Sequence, residues 1–102
     1  MHLDFEWDEE KAELNLRKHG VGFQVYDLVE EAKSVFGDPL IVTHSDPDHS
    51  VGEHRFLSIG QSFSGRTLIV IHTSRGDKVR IITARKATKF ERGAYEEGQQ
   101  QK

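Results

Sequence analysis

The sequence has no cysteine, only two prolines and one tryptophan, and no long apolar segment. The lack of cysteine excludes a disulfide framework, a thiolate nucleophile and cysteine metal ligands. A transmembrane helix needs about 18 or more consecutive apolar residues, and no such run occurs. Residues 1–10 are acidic and lack the apolar core of a secretory signal. We therefore expect a cytoplasmic protein that does not contact a membrane.

Basic residues are scarce in the first half of the chain and common in the second. Residues 1–53 carry 13 acidic and 4 basic side chains, whereas residues 54–102 carry 4 acidic and 10 basic ones. The net charge is only −3, but local clustering decides the field that a phosphate meets. The basic half can therefore bind nucleic acid, and the acidic half can attract a basic protein. An unevenly charged surface that is merely solvated is the alternative.

The first part of the chain predicts one strand and two helices. Apolar and acidic residues alternate over 3–7, which indicates a short edge strand. A helix over about 9–19 follows Asp8, a good N-cap residue. Apolar residues spaced by three and four over 23–36 indicate a second, amphipathic helix. Pro39 cannot continue that helix, which therefore ends before it.

The second part of the chain predicts a β-meander and a last helix. The β-rich runs are residues 40–44, 53–62, 66–74 and 78–85. Three-residue loops containing glycine, 63–65 and 75–77, join the last three runs as hairpins. The run 66–74 is apolar on both faces, which is typical of a central strand. A helix over about 88–97 follows.

These elements predict a small α+β domain in which an antiparallel meander packs against N-terminal helices and a C-terminal helix follows. We expect one domain over residues 1–97, since the chain has the size of a single folding unit, and a flexible tail over 98–102.

Two groups of residues suggest acid–base or phosphate chemistry. Lys18, His19 and Gly20 place a cation and an imidazole at a helix end, although cations there also offset the helix dipole. Alternation in the last strand puts Lys78 and Arg80 on one face and Val79, Ile81 and Thr83 on the other, and Arg85 and Lys86 extend the basic stretch. With a suitable register, His54, Phe56 and Ser58 share the basic face, so that a base of the nucleic acid stacks on Phe56. The alternative is a solvated face with scattered charge.

Histidines suggest two further sites. The loop from His44 to His49, with His54 after it, contains imidazoles and carboxylates but no regular metal-ligand spacing, so a metal site there is the weaker interpretation. His72 lies within an apolar strand, where a hydrogen-bonded core histidine is more common than a catalytic one.

Four separated motifs, taken together, resemble the BrnT family of bacterial type II toxins over residues 5–97. The motifs are Phe5-Glu6-Trp7-Asp8 with Lys11-Ala12; Asn15-Leu16-Arg17-Lys18-His19-Gly20-Val21; Asp46-Pro47-Asp48-His49-Ser50 with Gly52-Glu53 and Arg55-Phe56-Leu57; and Arg80-Ile81-Ile82-Thr83-Ala84-Arg85-Lys86-Ala87-Thr88 with Glu91-Arg92 and Ala94-Tyr95-Glu96-Glu97. Gly93 departs from the family pattern, which has a helix former there, often arginine.

The resemblance implies a RelE-like fold and a metal-independent endoribonuclease that needs no cofactor and stops translation by cleaving cellular RNA, above all mRNA. It also implies a BrnA-like antitoxin with a ribbon-helix-helix DNA-binding part. We expect two toxins and two antitoxins in the complex, which contacts operator DNA only through the antitoxin.

The resemblance and the chemistry of RNA cleavage together suggest a set of site residues. His19 and Glu53 are the proton-transfer candidates, and Lys18, Arg80 and Arg85 stabilise charge on the phosphate. Arg55, Phe56, Lys78 and Lys86 are the RNA-binding candidates. Two alternatives remain open, namely a non-catalytic domain that docks nucleic acid or protein on the basic face, and a metal-dependent nuclease that uses the histidine loop.

Overall fold

The computed structural model describes residues 4–7, 25–46 and 53–100, which form a five-stranded sheet and two helices. The strands are β1 (Asp4–Trp7), β2 (Val42–Ser45), β3 (Arg55–Gln61), β4 (Thr67–Arg75) and β5 (Lys78–Lys86). The helices are α1 (Val25–Ser34), continued by a 3₁₀ turn at Val35–Gly37, and α2 (Lys89–Gln100). Neither described helix is long and apolar enough to cross a membrane. The predicted helix at 9–19 lies outside the described residues.

The sheet confirms the predicted α+β class and its antiparallel meander. The strand order is β1-β5-β4-β3-β2, with β2 to β5 antiparallel and β1 parallel to β5 at the edge. β4 is the central strand, as its apolar sequence predicts, and residues 68–73 are all buried. The RelE-like arrangement and the single-domain boundary at residue 97 stay predictions.

Several element boundaries differ from the predicted ones. Regular helix α1 ends at Ser34, and β2 begins only at Val42, because the Asp38 carboxylate accepts a hydrogen bond from the Leu40 amide at 2.9 Å and forms a local turn. Helix α2 continues to Gln100, into the segment predicted as a tail. Arg75 pairs with Lys78, so the last hairpin has a two-residue turn with Gly76 at φ +63°, where three residues were predicted.

Helix α1 packs on one face of the sheet, called the helix face below. The buried cluster is Val29, Ala32, Val35, Leu68, Val70, Ile81 and Ala84. Gly60 allows the close approach of the 3₁₀ turn, because a Cβ there would lie 2.9 Å from Cγ1 of Val35. The second predicted helix therefore covers the meander through the apolar stripe that its spacing indicates.

A register shift in β5 changes which residues share a face. Ile71 pairs with Thr83 and His72 pairs with Ile81, so Ile82 is skipped in the pairing with β4. Ile81 and Ala84 consequently both join the core, although they are three residues apart. The prediction that Thr83 shares a face with Ile81 is wrong, because strict alternation does not hold across this irregularity.

A buried carboxylate joins α1 to the loop between β3 and β4. Glu31 is 3% exposed and accepts hydrogen bonds from Ser62 Oγ at 2.8 Å, Ser64 Oγ at 2.7 Å and Arg66 Nε at 2.8 Å, with a further contact to Arg66 Nη2. Burial by itself would raise the pKa of Glu31, but the hydrogen bonds from Arg66, Ser64 and Ser62 outweigh it and lower the pKa. Glu31 therefore stays ionised inside the protein.

His72 is a satisfied core histidine, as its position in an apolar strand predicts. Its Nε2 lies 2.7 Å from Ser58 Oγ, which in turn lies 2.7 Å from Thr43 Oγ1. The ring packs edge-on against Phe36 at 4.9 Å and stacks on Phe56 at 5.7 Å. Burial lowers the pKa of His72 from 6.5 to about 4, so the imidazole is neutral in the folded protein.

We expect the His72 imidazole to make the protein less stable in mild acid. The unfolded chain takes up a proton near pH 6.5 and the folded chain only near pH 4, so stability is complete above pH 6.5 and is lost as the pH falls. Between pH 7 and pH 5 the free energy of unfolding should fall by about 2 kcal/mol through this group. Urea denaturation of the wild type and of His72→Phe at both pH values measures it. His44→Gln, which removes an exposed imidazole, is the control and should keep the wild-type loss; an equal loss in His72→Phe would contradict the prediction.

Candidate functional site

A row of four side chains crosses the sheet on the face opposite α1. Arg80 on β5 pairs with Glu6 on β1 and with Thr73 on β4, and Thr73 pairs with Arg55 on β3. Directly paired residues point to the same side of a sheet, so this cross-strand row (Glu6, Arg80, Thr73, Arg55) presents two guanidinium groups together. The Cα atoms of Arg55 and Arg80 are two strand spacings, or about 10 Å, apart.

The Glu6 carboxylate is, with Thr73, one of the two parts of the row that the sequence did not single out. Its Oε1 lies 3.7 Å from Arg80 Nη1 and 3.4 Å from Arg75 Nε. This oxygen is buried but accepts no hydrogen bond within the described part of the chain. The acidic positions of β1 read as the solvent side of an alternating strand, and only its parallel pairing with β5 puts Glu6 beside the arginines. The sequence predicted that this face is basic. Because Glu6 lies on it beside Arg80, the face is instead mixed in charge.

Glu53 and Arg55 lie together at the start of β3. Arg55 donates to Glu53 Oε1 from Nε at 3.3 Å and from Nη2 at 3.2 Å. Thr73 is anchored nearby, since its hydroxyl donates to the carbonyl of His54 at 2.7 Å. The structure thus brings together three of the residues predicted for the site, Glu53, Arg55 and Arg80, and adds Glu6 and Thr73. Lys78 lies on the same face, two residues before Arg80.

Phe56 does not share the face of Arg80 and Lys78, and that prediction is wrong. Phe56 pairs with His72 and Ser58 pairs with Val70, which puts both on the helix face. Ser58 is fully buried, and Phe56 stacks between His54 at 4.6 Å and His72 at 5.7 Å. The predicted face was off by one residue, and a one-residue slip moves every side chain of a strand to the other side of the sheet.

Arg85 lies at the other end of the same face and is held by α2. It donates two parallel hydrogen bonds to Glu91, from Nη1 to Oε1 and from Nη2 to Oε2, both 2.7 Å long. The Arg85 hydrogen bonds lower the pKa of Glu91 to about 2. Glu91 also closes a capping box with Thr88, since the Thr88 amide donates to Glu91 Oε1 at 2.8 Å. Arg80 and Arg85 pair with Thr73 and Ile69, four residues apart on β4, so they are about 13 Å apart along the strand.

Lys86 borders a pocket beside α2, about 650 Å³ in volume. Its polar lining includes Arg66, Thr67, Lys86, Lys89, Arg92 and Glu96. This basic pocket lies beyond the end of β5 and is separate from the cross-strand row. Tyr95 helps to position α2 here, because its hydroxyl donates to Asp38 Oδ2, which also accepts the Gln61 amide at 2.8 Å.

The remaining predicted site residues lie outside the described residues. Lys18 and His19 belong to the predicted first helix, and the histidine loop is described only at its ends, where His54 Nε2 lies 3.0 Å from Ser45 Oγ. In residues 4–7, 25–46 and 53–100, no three histidine or carboxylate side chains converge as metal ligands would.

Chemically, the cross-strand row can bind an anion and exchange a proton. Arg55 and Arg80 have their Cα atoms about 10 Å apart, so their long side chains can converge and hold the oxygens of one phosphodiester between the two guanidinium groups. The carboxylates of Glu6 and Glu53 flank the arginines and can accept a proton.

Comparisons with known proteins agree with this picture. Residues 7–91 match the family described as the ribonuclease toxin BrnT of type II toxin–antitoxin systems. The fold is similar to the crystal structure of the Brucella abortus ribonuclease toxin BrnT, with a TM-score of 0.55 and 24% identity over 86% of this chain and 100% of that chain. A comparison with curated protein sequences finds no match. Since the family match spans most of the residues, this chain belongs to the BrnT family of ribonuclease toxins of type II toxin–antitoxin systems.

Proposed function

We propose that the protein is a metal-independent endoribonuclease that cleaves cellular RNA, above all mRNA, and so inhibits translation. The observation that carries the proposal is the cross-strand row, in which Arg80 and Arg55 lie on one face with carboxylates beside both. A ribonuclease needs charge stabilisation and proton transfer at the same phosphate, and this row combines groups for both.

RNA supplies its own nucleophile, which removes the need for a metal-bound water. The 2′-oxygen attacks the adjacent phosphorus and loses its proton to a base, while the bond from phosphorus to the 5′-oxygen breaks. An acid protonates the departing 5′-oxygen, so that a 2′,3′-cyclic phosphate and a 5′-hydroxyl form. Cations stabilise the extra negative charge on the phosphate oxygens in the transition state.

We assign these tasks to residues as follows. Arg80 stabilises the transition state, because its side chain is only 23% exposed and lies within the row. Glu53 and His19 are the proposed proton-transfer pair, and Lys18 is a second cation. Glu6 is a further proton acceptor beside Arg80.

Arg55 and Lys78 position the RNA on this face, and Lys86 binds it beyond the end of β5. The described contacts of Arg85 favour a positioning role, because both arms of its guanidinium bind Glu91. The alternative, predicted from the sequence, is that Arg85 itself stabilises the transition state.

A toxin of a type II system has an antitoxin partner. We propose that the partner is a BrnA-like antitoxin with a ribbon-helix-helix part, and that two toxins and two antitoxins form the complex. In this complex only the antitoxin contacts operator DNA. Opposite charges on the two halves of the chain offer it two docking surfaces. We propose that the protein acts in the cytoplasm, because its RNA substrate and its antitoxin are both found there.

The products of cleavage test this chemistry. We expect RNA fragments with a 2′,3′-cyclic phosphate or 3′-phosphate and a 5′-hydroxyl, undiminished activity in EDTA, and no cleavage of DNA, which lacks the 2′-hydroxyl. Mass spectrometry of the fragments identifies the ends. Fragments with 5′-phosphates, or activity that only Mg²⁺ or Mn²⁺ restores, would instead support a metal-dependent nuclease.

His19→Ala separates catalysis from docking. In an enzyme this variant should keep its affinity for RNA and lose cleavage, because a general acid or base contributes roughly 10²–10⁴-fold to the rate. A protein that only docks RNA on the row would show no cleavage in the wild type either, and this result would overturn the proposal.

A further inference from the structure

We propose that the basic pocket beside α2 is a second RNA site, which binds backbone phosphates at a distance from the cleaved bond. The inference rests on the proposed ribonuclease function, since it concerns the path of the same substrate. It adds a binding site on a different part of the surface, with single-stranded RNA as its ligand.

Charge is the first argument. Lys86, Lys89 and Arg92 line the pocket, are exposed, and form no ion pair with any described residue. Arg66 also lines it, but its charge is largely offset by buried Glu31. Against three uncompensated cations stands one lining carboxylate, Glu96. Because the three positive charges in this concave surface repel one another, an anion bound among them stabilises the pocket.

The shape of the site is the second argument. Lys89, Arg92 and Glu96 recur by three or four residues and so lie on one face of α2. That helix is held at two points, by Glu91 on Arg85 and by Tyr95 on Asp38. The pocket volume of 650 Å³ is larger than a lone phosphate requires and falls in the range of sites that hold a nucleotide-sized ligand.

The position of the pocket favours RNA over a small anion. Thr67 in the pocket and Thr73 in the cross-strand row are six residues apart on β4, which corresponds to about 20 Å. A single strand of several nucleotides that is bound at the row can therefore reach the pocket. Neither Phe90 nor Phe63 lines the pocket, but each lies close in sequence to a lining cation, Phe90 next to Lys89 and Phe63 close to Arg66, and 84% and 70% of their surface is exposed. Exposed aromatic rings near a basic groove can stack on the bases of single-stranded nucleic acid.

Gly93 allows a test that removes no packing. It lines the pocket, and a Cβ at this position would meet no atom within 4 Å. Gly93→Glu adds a negative charge to the pocket, whereas Gly93→Ala adds only a methyl group and a better helix former. Lys33→Gln is the control for net charge, because Lys33 lies on α1 and pairs with Glu30.

The experiment measures binding of 2′-O-methyl RNA, whose blocked 2′-oxygen prevents cleavage, by fluorescence anisotropy at several salt concentrations. For an oligonucleotide of about ten residues, Gly93→Glu and Lys89→Gln/Arg92→Gln should bind about tenfold more weakly than the wild type. The salt dependence of the double variant should flatten by roughly 0.7 in slope for each lost phosphate contact. Gly93→Ala and Lys33→Gln should bind like the wild type. A trinucleotide, which is too short to reach the pocket from the row, should distinguish none of the variants.

Each other outcome decides the matter. Wild-type affinity of Gly93→Glu and the double variant for the long oligonucleotide would overturn the RNA site. So would a loss of antitoxin binding without a loss of RNA binding, because the pocket would then be a protein site. Cleavage of unmodified RNA by the wild type is assayed in parallel. If the wild type cleaves RNA while the variants bind normally, only the pocket inference fails; if it cleaves no RNA, the proposed function fails.

Discussion

Replacing Arg80 by alanine should lower the single-turnover rate of RNA cleavage by roughly 10²–10³-fold at saturating RNA. The Arg80 side chain is partly buried in the cross-strand row beside Glu6, where charge stabilisation acts with less screening than at an open surface. Arg80→Lys should restore little, because an ammonium group is a point charge and cannot donate two parallel hydrogen bonds to phosphate oxygens. The measurement is single-turnover cleavage of one labelled RNA.

Lys78→Ala and Arg85→Ala are matched controls for Arg80→Ala. Lys78 shares the face of Arg80 but is exposed beside the hairpin, so its loss should weaken binding more than it lowers the rate. Arg85→Ala should cleave within about threefold of the wild-type rate but unfold more easily, because Glu91 loses its partner. A wild-type rate in Arg80→Ala would move the stabilising charge elsewhere. A large rate loss in a stable Arg85→Ala would restore the prediction that Arg85 stabilises the transition state.

Glu31→Gln should lower the free energy of unfolding by about 3 kcal/mol. The carboxylate accepts hydrogen bonds from Ser62, Ser64 and Arg66, whereas a glutamine has one acceptor oxygen and turns an NH₂ group towards one of these donors. Arg66 would also lose its counter-charge where it is only one-third exposed. Urea denaturation at pH 7 measures the change.

Glu30→Gln is the control for this stability change. Glu30 precedes Glu31 on α1 but pairs with Lys33 near the surface, with side chains 37% and 25% exposed. Exposed pairs contribute about 0–1 kcal/mol, so this variant should stay close to the wild type. Equal losses in the two variants would show that the buried network contributes nothing specific.

Much of the fold follows from local sequence. The apolar stripe of α1 follows from residues spaced by three and four, which a short window contains. The two-sided apolar run of β4 is identified as a strand by its short length, its β-branched residues and the glycine turns on either side. Turn chemistry placed the hairpins to within a residue, since Gly65 and Gly76 supply the positive φ values that these turns need. The family, too, could be predicted from its motifs in order.

The candidate site depended on the tertiary structure, because its residues come from strands that are distant in sequence. Whether Phe56 or Arg55 shares a face with Arg80 depends on a pairing register, and a shift of one residue inverts the answer. The place of Glu6 depends on the parallel pairing of β1 with β5, which no local pattern specifies. Charge composition by itself predicted a basic second half. Only the folded chain separates the row around Arg80 from the pocket around Lys89, because the two lie at opposite ends of β4, about 20 Å apart.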